Sequence, residues 1–174
     1  MVLLLPLKRC LRELDIADNP AIGDDAMVVL TMFHKLLYLA FGGTGVSMTG
    51  VRRLVTTMEL CGHDMDIEIP DACEQYLRSE FFGDVLAYML TGEFSDMVEI
   101  HHKYIPSVDP PLVSDPRTVP NLTTPVIIQN LTAHSAVNPD IPTQGPRGFL
   151  VKQLEDILQA READIKVRRL INLG

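Results

Sequence analysis

Residues 11–30, "LRELDIADNPAIGDDAMVVL", and residues 36–54, "LLYLAFGGTGVSMTGVRRL", carry the same pattern of apolar and polar positions. The first four matches are separated by 25 residues and the later ones by 24, because one residue is lost after the turn. The matched pairs are Leu11 and Leu36, Leu14 and Leu39, Ile16 and Phe41, Asn19 and Thr44, Ile22 and Val46, and Leu30 and Leu54. A repeated spacing indicates that one small structural unit occurs twice, so this stretch decides the fold prediction.

Each copy predicts a short strand, a turn and a helix. The apolar residues of L-x-x-L-x-I alternate with polar ones, so one face of the strand is predicted to be buried. At the turn, the side-chain amide of Asn19 can bond to nearby backbone, and the hydroxyl of Thr44 can do so less well. Helical spacing follows the turn in both copies. The residues predicted to face inward from these helices are Ala26, Val29, Leu30, Phe33, Val51, Leu54, Val55 and Met58.

This combination resembles leucine-rich repeats of the ribonuclease-inhibitor or F-box-protein type over residues 3–60. The resemblance implies an α/β fold, a short leucine-rich-repeat solenoid whose curved parallel sheet binds a protein. The alternative is that residues 1–60 only contribute a hydrophobic core. A solenoid also needs a cap at its first repeat, and none is visible before Leu11. We therefore expect a longer chain; the alternatives are that "MVLLLPLKRC" is an improvised cap or that another chain covers the edge.

Residues 61–105 are predicted to form a helical cap on the C-terminal end of the solenoid. "IEI" at residues 67–69 indicates a last short strand, and Pro70-Asp71 suits the start of a helix. Helical spacing continues after it, with breaks predicted at Gly83 and Gly92. The residues that carry this spacing are Cys73, Tyr76, Leu77, Phe81, Phe82, Val85, Leu86, Met89 and Leu90.

Residues 106–121 hold five prolines. Proline lacks a backbone N–H and favours extended conformations, so we predict a non-helical linker between the body and the tail. The alternative is that this segment packs along the body.

Residues 122–174 predict two helices with a non-helical crossing between them. The first helix begins at Thr123 or Thr124, with Pro125 in its first turn, and the second begins at about Pro146. The last part of the second helix, "READIKVRRL", is charged on most sides and is predicted to project beyond the core. The residues predicted to face inward are Ile127, Leu131, Phe149, Leu150, Leu154, Ile157 and Leu158.

The order of helix, extended crossing, glycine and helix over residues 122–158 resembles the SAP motif, a small nucleic-acid-binding unit. The positions that carry the resemblance are Leu122, Thr123, Ile127, Leu131, Gly145, Arg147, Leu150, Val151 and Leu154. The resemblance implies DNA binding by backbone amides at the start of the second helix and by nearby basic side chains. The candidate DNA-binding residues are Thr143, Gly145, Arg147 and Lys152.

Two departures from the SAP pattern weaken the expectation of DNA binding. Ile128 and Gln153 stand where the pattern has basic residues, and the connection between the helices is longer than usual. The alternative is that the tail is a helical hairpin that docks on the body or on a partner. "PTQGPR" would then be a turn, with Gly145 supplying a positive φ.

Charge separates the tail from the rest of the chain. Residues 1–120 hold 9 Lys and Arg against 18 Asp and Glu, a net charge of −9, whereas residues 121–174 hold 6 against 5, a net charge of +1. An acidic body repels DNA. We therefore predict a non-catalytic adaptor that binds an unknown protein through its repeat surface. The alternative is a nucleic-acid-associated adaptor that binds DNA weakly through the tail.

We predict no enzyme, no cofactor and no metal site. "FGGTGVSMTG" lacks the lysine of a phosphate-binding loop, and no nucleophile is recognisably arranged with a base. His101 and His102 with Glu99, and "CGHD" at residues 61–64, lack the spacing of metal ligands. Three cysteines without disulfide spacing, no signal peptide and no membrane-length apolar run predict an intracellular protein, in nucleus or cytoplasm, without a membrane partner.

Overall fold

A computed structural model describes residues 6–82 and 103–171 of the 174-residue chain. The contacts divide the chain into two compact units. Unit 1 comprises Met1–Leu77 and Ala163–Gly174, and unit 2 comprises Arg78–Glu162. The strands and helices are β1 (Glu13–Asp15), α1 (Asp25–Leu30), β2 (Tyr38–Ala40), α2 (Met48–Leu60), β3 (Asp66–Glu68), α3 (Asp71–Phe82), a 3-10 helix (Pro116–Asn121), α4 (Thr124–Ser135) and α5 (Arg147–Leu170).

Unit 1 contains a three-stranded parallel sheet in the order β1-β2-β3. Parallel neighbours need a crossover connection, and here α1 joins β1 to β2 while α2 joins β2 to β3. Leu14, Leu39 and Ile67 lie in register at the centre of the three strands. Leu39 and Ile67 are buried, and Leu14 packs against the same core. The predicted alternation is seen in β1 and β3, whose flanking residues are exposed, but not in β2, where Ala40 is buried as well as Leu39.

The core of unit 1 lies between the sheet and its helices. α2 buries the four residues predicted to face inward, and α3 starts at Asp71, as predicted. β3 lies one residue earlier than the strand predicted at residues 67–69. The buried core residues are Ile16, Ala26, Met27, Leu30, Phe33, Leu36, Leu39, Phe41, Val46, Val51, Leu54, Val55, Met58, Met65, Ile67, Ile69, Cys73, Leu77 and Val167.

The turns after β1 and β2 also follow the prediction. The amide of Asn19 donates to the backbone oxygens of Ile16 (3.1 Å) and Ala17 (2.7 Å). The hydroxyl of Thr44 donates one such bond, to the oxygen of Phe41 at 2.7 Å. Asparagine therefore makes two bonds where threonine makes one, because an amide carries two N–H donors and a hydroxyl carries one O–H.

The predicted fold class, a short leucine-rich-repeat solenoid with a helical cap and a SAP-like tail, is wrong. About half of the chain is helical, and the strand structure described is one small three-stranded sheet that does not close, so no solenoid is indicated. In a solenoid each repeat contacts only its neighbours. Here Val167, from the far end of the chain, belongs to the same core as the strands, which is the packing of a globular unit.

The charge of the last part of α5 predicted that it projects beyond the core, and this prediction is wrong. Ala163, Asp164 and Val167 are all buried. Asp164 is buried because it forms an ion pair with Arg52, with donor–acceptor distances of 2.6 and 2.7 Å. A charged residue can therefore face inward in this helix, since its charge has a partner there.

Unit 2 is built on α4, the first part of α5 and the preceding proline-rich segment. Helix α4 begins as predicted, with Thr123 as N-cap and Pro125 in the first turn. Phe149 departs from the prediction: it is 47% exposed, and its ring covers Gly145, where an added Cβ would lie 2.9 Å from Phe149 Cδ1. The buried core residues are Tyr104, Val119, Ile127, Leu131, Ile141, Leu150, Leu154, Ile157 and Leu158.

The proline-rich segment is not the extended linker that its composition predicted. Pro116–Asn121 forms a 3-10 helix that begins at a proline. Proline fits this position because the first residue of a helix does not need its backbone N–H for a bond within the helix. The Asp115 side chain caps it by accepting from the backbone N–H of Arg117 at 2.9 Å. Val119 is fully buried in the core of unit 2, so this stretch packs instead of hanging free.

Some predictions fall outside the described residues. They are the breaks at Gly83 and Gly92, the helical spacing from Val85 to Leu90, and the His101-His102 pair with Glu99.

Candidate interaction surfaces

The solvent-facing side of the sheet in unit 1 is acidic. The register places Glu13, Tyr38 and Asp66 in one row across the three strands, and Asp15, Ala40 and Glu68 in the next. The four carboxylate residues are exposed and Tyr38 is half-buried. We call Glu13, Asp15, Tyr38, Asp66 and Glu68 the acidic sheet face.

The strand geometry sets the dimensions of this face. Neighbouring strands lie about 4.8 Å apart, and residues two apart along a strand are separated by roughly 6.6 Å. The Cα atoms of Glu13, Asp15, Asp66 and Glu68 therefore occupy the corners of a rectangle of about 10 by 7 Å. Between Asp15 and Glu68 lies Ala40, whose small side chain is only 3% exposed.

The acidic groups act on Tyr38. A hydrogen bond to Glu68, followed by partial burial and the charges of Glu68, Asp15 and Glu13, raises the pKa of Tyr38 to about 12. The phenol therefore stays protonated at neutral pH and donates a hydrogen bond. The face as a whole offers four carboxylate acceptors, one phenol and no basic residue.

Carboxylates in this arrangement suit cationic side chains. A guanidinium binds a carboxylate with two parallel hydrogen bonds, and an ammonium binds as a point charge. A metal site is not indicated, since residues 6–82 and 103–171 contain no group of three or more His, Cys, Asp or Glu placed to hold a metal ion. His63, from the "CGHD" stretch, instead pairs its Nε2 with the backbone oxygen of Leu36 at 2.7 Å.

Sequence reasoning did not select these residues, although a signal was present. Glu13 and Asp15 are two apart in a stretch predicted as a strand, so they must share a face. Asp66 lies one residue before the strand predicted at residues 67–69, so the second pair was not apparent from that prediction. The register that brings the two pairs to either side of Tyr38 could not be read from the sequence.

The tail residues predicted to bind DNA lie in unit 2. Gly145 has φ of 144°, the positive value that the turn alternative predicted, and Thr143 is half-buried in the same loop. Arg147 donates through Nη2 to the backbone oxygen of Pro120 at 3.0 Å. Lys152 forms an exposed ion pair with Asp156 one helical turn further on.

The structure does not bring the two tail cations onto one side of α5. Arg147 and Lys152 are five positions apart, which at 3.6 residues per turn separates their directions by about 140°. Each is exposed, and each already has a partner of this chain. The four predicted residues therefore form a turn followed by the start of a helix, without a shared basic surface.

Comparisons of the chain with protein-family models, with curated protein sequences and with solved structures found no match. The resemblances to leucine-rich repeats and to the SAP motif thus stay predictions. Among the described helices, none combines the length and the apolar character needed to cross a membrane.

Proposed function

We propose that this chain is a non-catalytic protein-interaction module, and that its acidic sheet face binds a basic segment of a partner protein. The observation that carries the proposal is the strand register, which places two pairs of exposed carboxylates on either side of Tyr38. The role as an adaptor follows if the rest of the chain engages a second partner.

The spacing of the carboxylates suits an extended basic segment. In an extended chain, residues two apart point to the same side and lie roughly 6.6 Å from each other. Glu13 and Asp15 have the same spacing, and so do Asp66 and Glu68. A partner with Lys or Arg at alternate positions can therefore place two cations along one strand.

Charge complementarity gives such an interface its specificity. Opposite potentials raise the association rate and suppress acidic partners, and salt weakens the attraction between exposed charges. The net charge of −9 over residues 1–120 acts in the same direction.

The alternative function is weak DNA binding through the tail. Affinity for DNA grows with the number of phosphates that Lys and Arg neutralise. Here the candidates are Arg147 and Lys152, which are both engaged within the chain and point in different directions. These contacts favour the protein-binding proposal over the DNA-binding alternative.

The test uses the full chain, fluorescence anisotropy and three labelled probes over a salt series. The probes are a ten-residue peptide with alternating Arg and Ser, its Glu and Ser counterpart, and a duplex DNA. The variant Asp66→Asn/Glu68→Gln removes two charges from the acidic sheet face. The matched control, Asp109→Asn/Asp140→Asn, removes the same charge from exposed positions of unit 2.

We expect the basic peptide to bind the unmodified chain and the control alike. The Asp66→Asn/Glu68→Gln variant should bind about threefold to thirtyfold more weakly, since each exposed ion pair contributes only modestly. Equal weakening in both variants, or no binding at low salt, would refute the sheet face as the site. DNA binding that is lost in Arg147→Ala/Lys152→Ala would establish the alternative.

A further inference from the structure

In unit 2, four residues of backbone are held by side chains from two helices and the loop between them. We call residues 103–106 the strap. Asn138 Nδ2 donates to the backbone oxygen of Lys103 at 3.3 Å, and Arg161 Nε donates to the oxygen of Pro106 at 2.9 Å. Between them, the backbone N–H of Ile105 donates to His134 Nδ1 at 3.0 Å.

The strap is part of the core. Its second residue, Tyr104, is 1% exposed and packs among the buried residues of unit 2. Among the described contacts, the strap is therefore held by one large buried aromatic side chain and by these three hydrogen bonds. Of the three side chains that make these bonds, only His134 changes its charge at mildly acidic pH.

His134 lies in an environment that suits its neutral form. It is fully buried on α4, and Nδ1 must keep its lone pair to accept from Ile105, so the ring proton sits on Nε2. Nε2 has no hydrogen-bond partner among the described residues. A buried imidazolium would thus find no acceptor at Nε2, and it would lose the bond that Nδ1 makes.

The charges around His134 also oppose its protonation. Burial and then the positive charge of Arg161 lower the pKa of His134 to about 4. Arg161 is itself partly buried, which lowers its own pKa, and Tyr104 opposes that effect. Helix α4 carries no Asp, Glu, Lys or Arg along its length. Within residues 103–171, no carboxylate is among the groups that shift the pKa of His134, so none offsets the effect of Arg161 there.

We propose that His134 is an acid-sensitive latch, in which a proton added to Nδ1 releases the backbone of Ile105 and opens residues 103–106. Nδ1 gains one proton from solvent, the ring becomes a cation with two N–H donors, and the bond from the Ile105 N–H is broken. On release, His134 reaches water, and the Ile105 N–H bonds to water instead.

The direction and size of the effect follow from linkage. The pKa of His134 is lowered when the strap is closed. The bond between Ile105 and neutral His134 therefore stabilises the closed strap fully above pH 6.5, and this stabilisation is lost as the pH falls towards 4. We call the equilibrium ratio of open to closed strap the opening constant. The difference between the ordinary His pKa of 6.5 and the lowered value of about 4 corresponds to about a 300-fold rise in this constant when protonation is complete. Between pH 7 and pH 4.5 the expected rise is about 60-fold.

Residue-resolved amide hydrogen exchange on the full chain tests this. The protection factor of the Ile105 amide, corrected for the intrinsic pH dependence of exchange, should fall about 60-fold between pH 7 and pH 4.5. The matched internal control is the Val113 amide, which donates to Asn130 Oδ1 at 2.7 Å. Asn130 belongs to the same helix and does not titrate, so the protection of Val113 should stay constant.

The variant His134→Asn supplies the second control. Asparagine can place an acceptor oxygen near the position of Nδ1 but takes up no proton, so the Ile105 amide should lose its pH dependence. In the unmodified chain, the ring resonances of His134 should titrate well below pH 6.5 and together with the Ile105 amide shift. This measurement stands even if the variant does not fold.

Three results would overturn the latch. One is equal loss of protection at Ile105 and Val113, which would mean that unit 2 unfolds as a whole. Another is an ordinary titration of His134 near pH 6.5. The third is a pH dependence of Ile105 that persists in His134→Asn, which would assign it to another group.

Discussion

Replacing Asp164 by asparagine should destabilise unit 1 more than any exposed charge substitution. Asp164 is fully buried, and it accepts from Arg52 Nε at 2.6 Å, from Arg52 Nη2 at 2.7 Å and from the Tyr76 hydroxyl at 3.1 Å. Asparagine keeps one acceptor oxygen, but it turns an N–H₂ group towards these donors and removes the negative charge that Asp164 presents to Arg52.

The magnitude follows from the bonds that are lost. Removing one partner of a buried ion pair costs about 3–5 kcal/mol. The Arg52 side chain retains 19% of its exposure, so water takes over part of the solvation, and asparagine retains one bond. We therefore expect the free energy of unfolding to fall by about 3 kcal/mol, the lower end of that range.

The double variant Arg52→Met/Asp164→Leu separates the cost of an unpaired charge from the net value of the pair. Replacing a buried pair by apolar residues of similar volume is often nearly neutral. We expect the double variant to lose much less stability than the sum of its two single variants. Tyr76 is half-buried, so water can reach its hydroxyl in the double variant.

Urea unfolding of the full chain, followed by circular dichroism and by hydrogen exchange of the α2 amides, measures these differences. Lys152→Ala is the control, since Lys152 and Asp156 form a pair that is 69% and 49% exposed. It should cost no more than about 0.5 kcal/mol. The reasoning fails if Asp164→Asn costs less than about 1 kcal/mol, or if the double variant costs the full sum of the singles.

Three further substitutions or reactions probe single contacts. Gly50→Ala places a Cβ 2.4 Å from Asp24 Oδ1, which is held by hydrogen bonds. Overpacking should outweigh the gain in helix propensity and lower the free energy of unfolding by a net of about 1 kcal/mol, which is read as a lower melting temperature. Leu131→Ala empties a fully buried position of unit 2 and should cost about 3 kcal/mol in urea unfolding; a loss below about 1 kcal/mol would mean that Leu131 is not in a packed core. Burial raises the pKa of the Cys73 thiol to about 11, so iodoacetamide at pH 8 should modify exposed Cys61 within the time that leaves Cys73 intact, as read by peptide mass mapping.

Local features of this chain could be predicted because they depend on neighbouring residues. The alternation around Leu14 and Ile67, the helix start at Thr123, and the turn bonds of Asn19 each follow from periodicity or side-chain chemistry within a few positions. Part of the acidic sheet face was within reach of the same reasoning, since Glu13 and Asp15 are two apart on a predicted strand.

Predictions from composition were wrong where contacts with distant residues decide whether a segment packs into a core. Charge along the end of α5 predicted a projecting helix, but the ion pair with Arg52 allows Asp164 to be buried. The prolines of residues 106–121 predicted an extended linker, but Val119 has a place in the core of unit 2 and the segment folds against it. Neither Arg52 nor that core is a neighbour in sequence.

By itself, the sequence determined which face of β1 and of α2 is apolar, because a period of two or 3.6 residues is written directly into residue order. Only the tertiary structure decided which faces meet. The register that aligns Glu13, Tyr38 and Asp66, the inclusion of Val167 in the core of unit 1, and the bond between His134 and Ile105 all join distant parts of the chain. Such contacts form because burying an entire apolar surface selects one arrangement of elements, and no local pattern specifies that arrangement.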